Sequence, residues 1–83
     1  MNIPKVGQRW RWIWDDTGIK VDIISEILFI KKGLVMGEIL QVIEATQNQY
    51  VIGAVINSNL DYWKNNKFNT FILLPNQNAP EEI

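Results

Sequence analysis

Neither cysteine nor histidine occurs anywhere in the 83 residues, and the two absences together remove most of the chemistry a small domain can carry. Without histidine there is no Ser-His-Asp or Cys-His nucleophile; without cysteine there is no thiolate and no disulfide; without either there is no His or Cys zinc site. An enzyme would have to work with carboxylates, drawn from Asp15, Asp16, Asp22, Glu26, Glu38, Glu44 and Asp61. A two-carboxylate hydrolase needs one acid perturbed by burial and a second facing it across a cleft. A core of this size seldom leaves room for a deep cleft, so the expectation is a non-enzyme with no cofactor and no metal.

Charge of one sign is also lacking. Eight basic residues against nine acidic ones leave a formal net charge of −1, too little excess to attract a phosphate backbone over the whole surface. Long apolar runs are absent as well. Met1 to Gln8 includes Pro4 and Lys5 and no hydrophobic stretch, so no signal peptide or membrane span is expected, and the cytoplasm is the default location. The five glycines are dispersed and form no phosphate-cradling spacing. Asp15, Asp16, Thr17 and Gly18 do not make a calcium loop, because Ile19 stands where an oxygen ligand is needed.

Tryptophan is abundant instead. Three of the four tryptophans lie in the stretch Arg9 to Trp14 at every second position. That spacing puts Trp10, Trp12 and Trp14 on one face of a β-strand and Arg9, Arg11 and Ile13 on the other, whereas a helix would scatter them. Each buried tryptophan removes on the order of 200 Å² from water. Such a face substitutes for the staples of other small domains, which at this length bury only about 60 to 65% of their unfolded surface. A homodimer is the other route to a sufficient core.

The first strand is predicted over Gln8 to Trp14, closed by a bulged hairpin loop of Asp15, Asp16, Thr17 and Gly18. Ile19 to Ile30 alternates at first and then slips phase at Ile24. A bulge near Ile24 and Ser25 restores the strand; a short helix capped by Asp22 is the alternative for its second half. Lys31, Lys32 and Gly33 turn the chain, and their charges guard an apolar strand against edge pairing. A third strand is expected over Leu34 to Thr46 with a bend at Gly37, and a fourth over Tyr50 to Ile56 with an interior Gly53. The polar stretch Asn57 to Asn66 reads as a long loop or one short helical turn around Leu60, Tyr62 and Trp63, and Phe68 to Leu74 as the fifth strand, ended by Pro75. The fold class expected is all-β: a small five-stranded antiparallel barrel, SH3-like, occupying residues 1–75, with an irregular C-terminal tail over 76–83.

Function then turns on binding. In SH3-type domains an acidic loop beside exposed aromatics makes a groove for proline-rich peptides. Trp14, Asp15 and Asp16 at the first turn, with Tyr62 and Trp63 in the polar loop, are the matching candidates for a protein-partner site here. Asn57, Asn59, Asn65 and Asn66 supply a polar rim. The opposing possibility is that Trp63 folds back to plug one end of the barrel. Nucleic acid is the alternative partner, through Arg9, Arg11, Lys31 and Lys32. Strand alternation counts against it, since a stacking platform needs aromatics and cations on one surface.

Val6, Gly7 and Trp10 near the start, with Phe71, Leu73, Leu74, Pro75, Asn76 and Gln77 near the end, resemble a pattern in short proteins of unassigned function from phage and bacterial genomes. This chain has Phe71 where that pattern often carries tryptophan. The resemblance implies an SH3-like barrel and an accessory protein of a phage or mobile element that binds, and inhibits, a host protein.

Overall fold

A computed structural model describes residues 3–64 and 67–75. The expected tail over 76–83, and with it Asn76 and Gln77, lies outside the described residues, as do Asn65 and Asn66. The described residues form five strands: β1 (Arg9–Asp16), β2 (Ile19–Lys31), β3 (Leu34–Ala45), β4 (Val55–Asn59) and β5 (Asn69–Leu73), with one 3₁₀ turn, Leu60–Trp63, between the last two. All five belong to one antiparallel sheet in the order β4-β3-β2-β1-β5. The all-β class is therefore as expected, but the closed barrel is not. Strands β4 and β5 are the two edges, with no ladder between them among the described residues, and the 3₁₀ turn touches both.

The alternation of β1 is the register that organises the rest. Trp12 stands opposite Ile23 of β2 and Phe71 of β5, so three apolar side chains meet on the inner face. Strand β2 continues unbroken to Lys31, and the helical alternative for its second half is not adopted. Its inward residues Val21, Ile23, Ser25 and Ile27 are all buried. The phase slip at Ile24 is absorbed by a register shift between Ile24 and Ser25, with two more at Asp22/Ile23 and Ile27/Phe29. Each shift bends and coils the β2–β3 pair, letting a two-strand ribbon wrap a core. Gly37 sits at a close approach within that ribbon: a Cβ there would lie 3.3 Å from the carbonyl oxygen of Glu26.

The fourth strand falls later than its composition indicates. Residues 50–54 form a turn, and the strand comprises Val55 to Asn59 rather than Tyr50 to Ile56. Gly53 has φ +91°, which breaks the extended run. Its N–H donates to the Ile39 carbonyl at 2.8 Å, while the Ile39 N–H donates to Ala54 at 2.9 Å, so the turn is tied to β3. Beyond it Ile56 and Ser58 are half-buried while Asn57 and Asn59 face water on an edge strand. Asparagine, a loop signal by composition, is tolerated there because it occupies the solvated face.

The core has two parts. Val21, Ile23 and Ile39 make one. Trp10, Ile27, Val35, Trp63 and Phe71 make the other. Trp12 packs against both. Its ring is parallel to Phe71 at 6.0 Å, and Phe71 stacks in turn on Trp63 at 3.9 Å. Trp63 meets Trp10 edge to face at 5.0 Å.

Candidate functional site

The tryptophan face is covered at one end and open at the other. Trp10 is only 3% exposed, because the 3₁₀ turn lays Trp63 over it; Trp12 and Trp14, further along β1, remain half-buried. The turn places Trp63 this way for local reasons. Asn59 caps it, accepting from the Asp61 N–H at 2.9 Å, and the Leu60 N–H donates to the Gly33 carbonyl at 2.7 Å. With three residues per turn, Leu60 and Trp63 fall on one side, the core side, and Tyr62 on another. Trp63 is 4% exposed and donates its indole N–H to Ser58 Oγ at 2.9 Å, while Tyr62 is 55% exposed. Of the candidate contact residues, Trp63 is thus placed in the core, folded back over the Trp10 end of the tryptophan face, and is not open to solvent.

At the uncovered end the sheet leaves a cleft of about 470 Å³. Its walls are Trp12 and Trp14 from β1, Tyr50 from the turn before β4, Tyr62 from the 3₁₀ turn and Phe68 ahead of β5. Among the described residues, Asp16, Asn57, Ser58 and Asn69 complete the lining. The Trp12 and Trp14 rings are stacked, 6.0 Å apart with 14° between planes, and Tyr50 meets Trp12 at 6.2 Å and 69°. Trp12 is anchored by its indole N–H, which donates to Asn69 Oδ1 at 2.9 Å across the β1–β5 ladder. The cleft therefore joins a wall of packed aromatics, Trp12, Trp14 and Tyr50, to two exposed ones, Tyr62 and Phe68.

Of the five candidates, Trp14, Asp16 and Tyr62 come together in this cleft. Asp15 does not. It belongs to a neighbouring polar recess of about 760 Å³, shared with Asp16, Thr17, Gly18, Lys20, Thr46, Lys67 and Phe68. Alternation puts Asp15 on the opposite face of β1 from Trp14. Trp12, Tyr50, Phe68 and Asn69 were missed. Trp12 shares the period-two face of Trp14 and was readable as part of the same surface; nothing local marks the other three, which arrive through strand pairing.

The four basic residues of the nucleic-acid alternative are not gathered into one patch. Arg11 on the outer face of β1 forks onto Asp22 of β2, Nε to Oδ1 at 2.8 Å and Nη2 to Oδ2 at 2.6 Å. That hydrogen-bonded carboxylate, and then its charge, hold the Arg11 pKa above its ordinary value. Arg9 lies 3.5 Å from Glu26 on the same face. Lys31 and Lys32 are at the far β2–β3 turn. Among the described residues no group of three acidic side chains is placed to hold a metal, and no helix is long and apolar enough to cross a membrane. Comparison with family models, with curated proteins and with solved structures returned no match to this chain.

Proposed function

We propose that this protein is a non-enzymatic interaction module, an SH3-like domain that binds a protein partner through the aromatic cleft at the open end of its sheet. The observation that carries this reading is the exposed Tyr62 lining, together with the stacked Trp12 and Trp14, one open cleft of about 470 Å³. Rigid aromatics flanked by asparagines and a serine are the composition of an interface centre with a polar rim, where a few residues supply most of the affinity. The strand order also supports the SH3-like reading, since pairing of the first and last strands curls a five-stranded sheet back toward itself. Protein is favoured over nucleic acid because Arg9 and Arg11 face acidic partners on the sheet's outer side, away from the aromatic face. With the resemblance of the chain ends to short phage and bacterial proteins, the role proposed is that of an accessory protein occupying, and so inhibiting, a host protein in the cytoplasm. A second copy of the chain is the competing occupant.

The test is affinity capture from host lysate with nuclease at low and high salt, comparing wild type with Tyr62→Ala. Tyr62 lies outside the core, so the variant should fold and yet lose the captured protein. Undiminished capture by Tyr62→Ala, or recovery of nuclease-sensitive material alone, would overturn the reading.

A further inference from the structure

We infer that the cleft receives a cationic side chain of the partner, arginine in preference to lysine, with its guanidinium against the Trp14 and Tyr62 rings and Asp16 as counter-ion. The inference rests on the cleft being the contact surface and adds the chemistry of what enters it.

Three observations lead there. Among the described residues the lining holds five aromatic side chains and a single charged one, the carboxylate of Asp16, with no lysine or arginine. The faces of aromatic rings carry negative potential, so rings and carboxylate attract the same kind of ligand. Asp16 is also uncommitted as a charge: it accepts the Thr17 N–H at 2.6 Å but makes no ion pair among the described residues. An aliphatic or anionic ligand entering the cleft would desolvate that carboxylate without compensation, at a cost that a guanidinium removes.

The indole nitrogens give the third observation. Those of Trp10, Trp12 and Trp63 donate within the fold, to Gln8, Asn69 and Ser58. The indole N–H of Trp14 has no acceptor among the described residues, which leaves it for a carbonyl of the incoming chain. The chain already presents one cation to this wall from outside the cleft, since Lys67 Nζ lies 5.6 Å from the centre of the Phe68 ring. Arginine is preferred to lysine because its planar group stacks on a ring while forking onto a carboxylate; an ammonium does only one at a time.

The experiment uses the whole chain, labelled with nitrogen-15, titrated separately with N-acetyl-arginine methylamide and with N-acetyl-citrulline methylamide, its neutral isostere. The arginine probe should shift the Trp14 indole N–H and Tyr62 signals saturably in the millimolar range, and the citrulline probe should bind about tenfold more weakly. Asp16→Asn, which keeps an oxygen for the Thr17 N–H, should erase most of that difference. Equal binding of the two probes, or shifts confined to the outer face around Asp22 and Glu26, would overturn the inference. So would no saturable shift from either probe. In that case Tyr62→Ala decides the rest: lost capture of the lysate partner keeps the cleft as contact surface for some other chemistry, and normal capture removes both proposals.

Discussion

Two neighbouring aromatics, Tyr62 and Trp63, should behave oppositely when truncated. Trp63→Ala deletes a ring that is 4% exposed, stacked on Phe71 at 3.9 Å, edge-on to Trp10 at 5.0 Å and hydrogen-bonded to Ser58. Core truncations of this kind cost about 3 to 5 kcal/mol, the upper end applying where rigid neighbours prevent collapse into the void. Both of its neighbours here are rings held by the strands of the ladder. A domain of this length has roughly 4 to 12 kcal/mol of stability in all. At a urea slope of about 1 kcal/mol per molar, the midpoint should fall by about 3 to 5 M, and the variant will be unfolded in water if the wild type lies at the low end. Tyr62→Ala should cost less than about 0.5 kcal/mol, as exposed substitutions do. Unfolding should be followed by far-UV circular dichroism, because the substitution changes tryptophan fluorescence directly. Trp63→Phe, which keeps a ring on Phe71 and loses the bond to Ser58, should fall between the two. A loss below about 1 kcal/mol for Trp63→Ala, or a larger loss for Tyr62→Ala, would refute the assignment of Trp63 to the core and of Tyr62 to the surface.

Lys32 and Gly33 both have positive φ, +53° and +80°, between the paired Lys31 and Leu34, the geometry of a two-residue type I′ hairpin. Lys32→Asn should raise stability by about 0.5 kcal/mol, roughly 2 to 4 °C in Tm, and Lys32→Val should lower it by about 1 to 2 kcal/mol. Gly37 is not at positive φ, so its substitution is a test of space alone. Gly37→Ala should lose about 1 kcal/mol against the Glu26 carbonyl, and Gly37→Val about 2 to 3, with urea midpoints as the readout. Arg11→Gln and Asp22→Asn should each destabilise, the double variant by less than the sum, and the coupling should shrink in 1 M salt as expected for a partly exposed pair. Trp12→Ala should both destabilise by about 3 kcal/mol and weaken partner capture, since this ring serves the core and the cleft wall together.

The strands legible from the sequence are those in which local pattern and burial coincide. Trp10, Trp12 and Trp14 alternate, and so do Ile19, Val21 and Ile23, and these segments form β1 and the start of β2 much as read. The slip at Ile24 marked a register shift because two consecutive isoleucines cannot both face inward on one pleat. β4 was misplaced because Tyr50 to Ile56 has strand-like residues and Asn57 to Asn59 does not, whereas an edge strand needs only half its residues to be apolar. Of the residues that line the cleft, Trp14, Asp16 and Tyr62 were singled out by residue type and nearness to turns; Tyr50, Phe68 and Asn69 were not, because they reach the cleft across the sheet.

By itself the sequence determined the chemistry available to this protein and the face on which its largest side chains lie. Residue types bound chemistry directly, without histidine or cysteine, and a period of two is a property of the extended chain before it meets any partner. Tertiary structure decided which tryptophans are core and which are surface. Trp10 is sealed by a ring 53 positions away, Trp14 is left partly open, and Trp63 is taken inward while its neighbour Tyr62 is turned out. Those outcomes depend on where a short 3₁₀ turn docks between two edge strands, a contact of distant segments that no local pattern encodes.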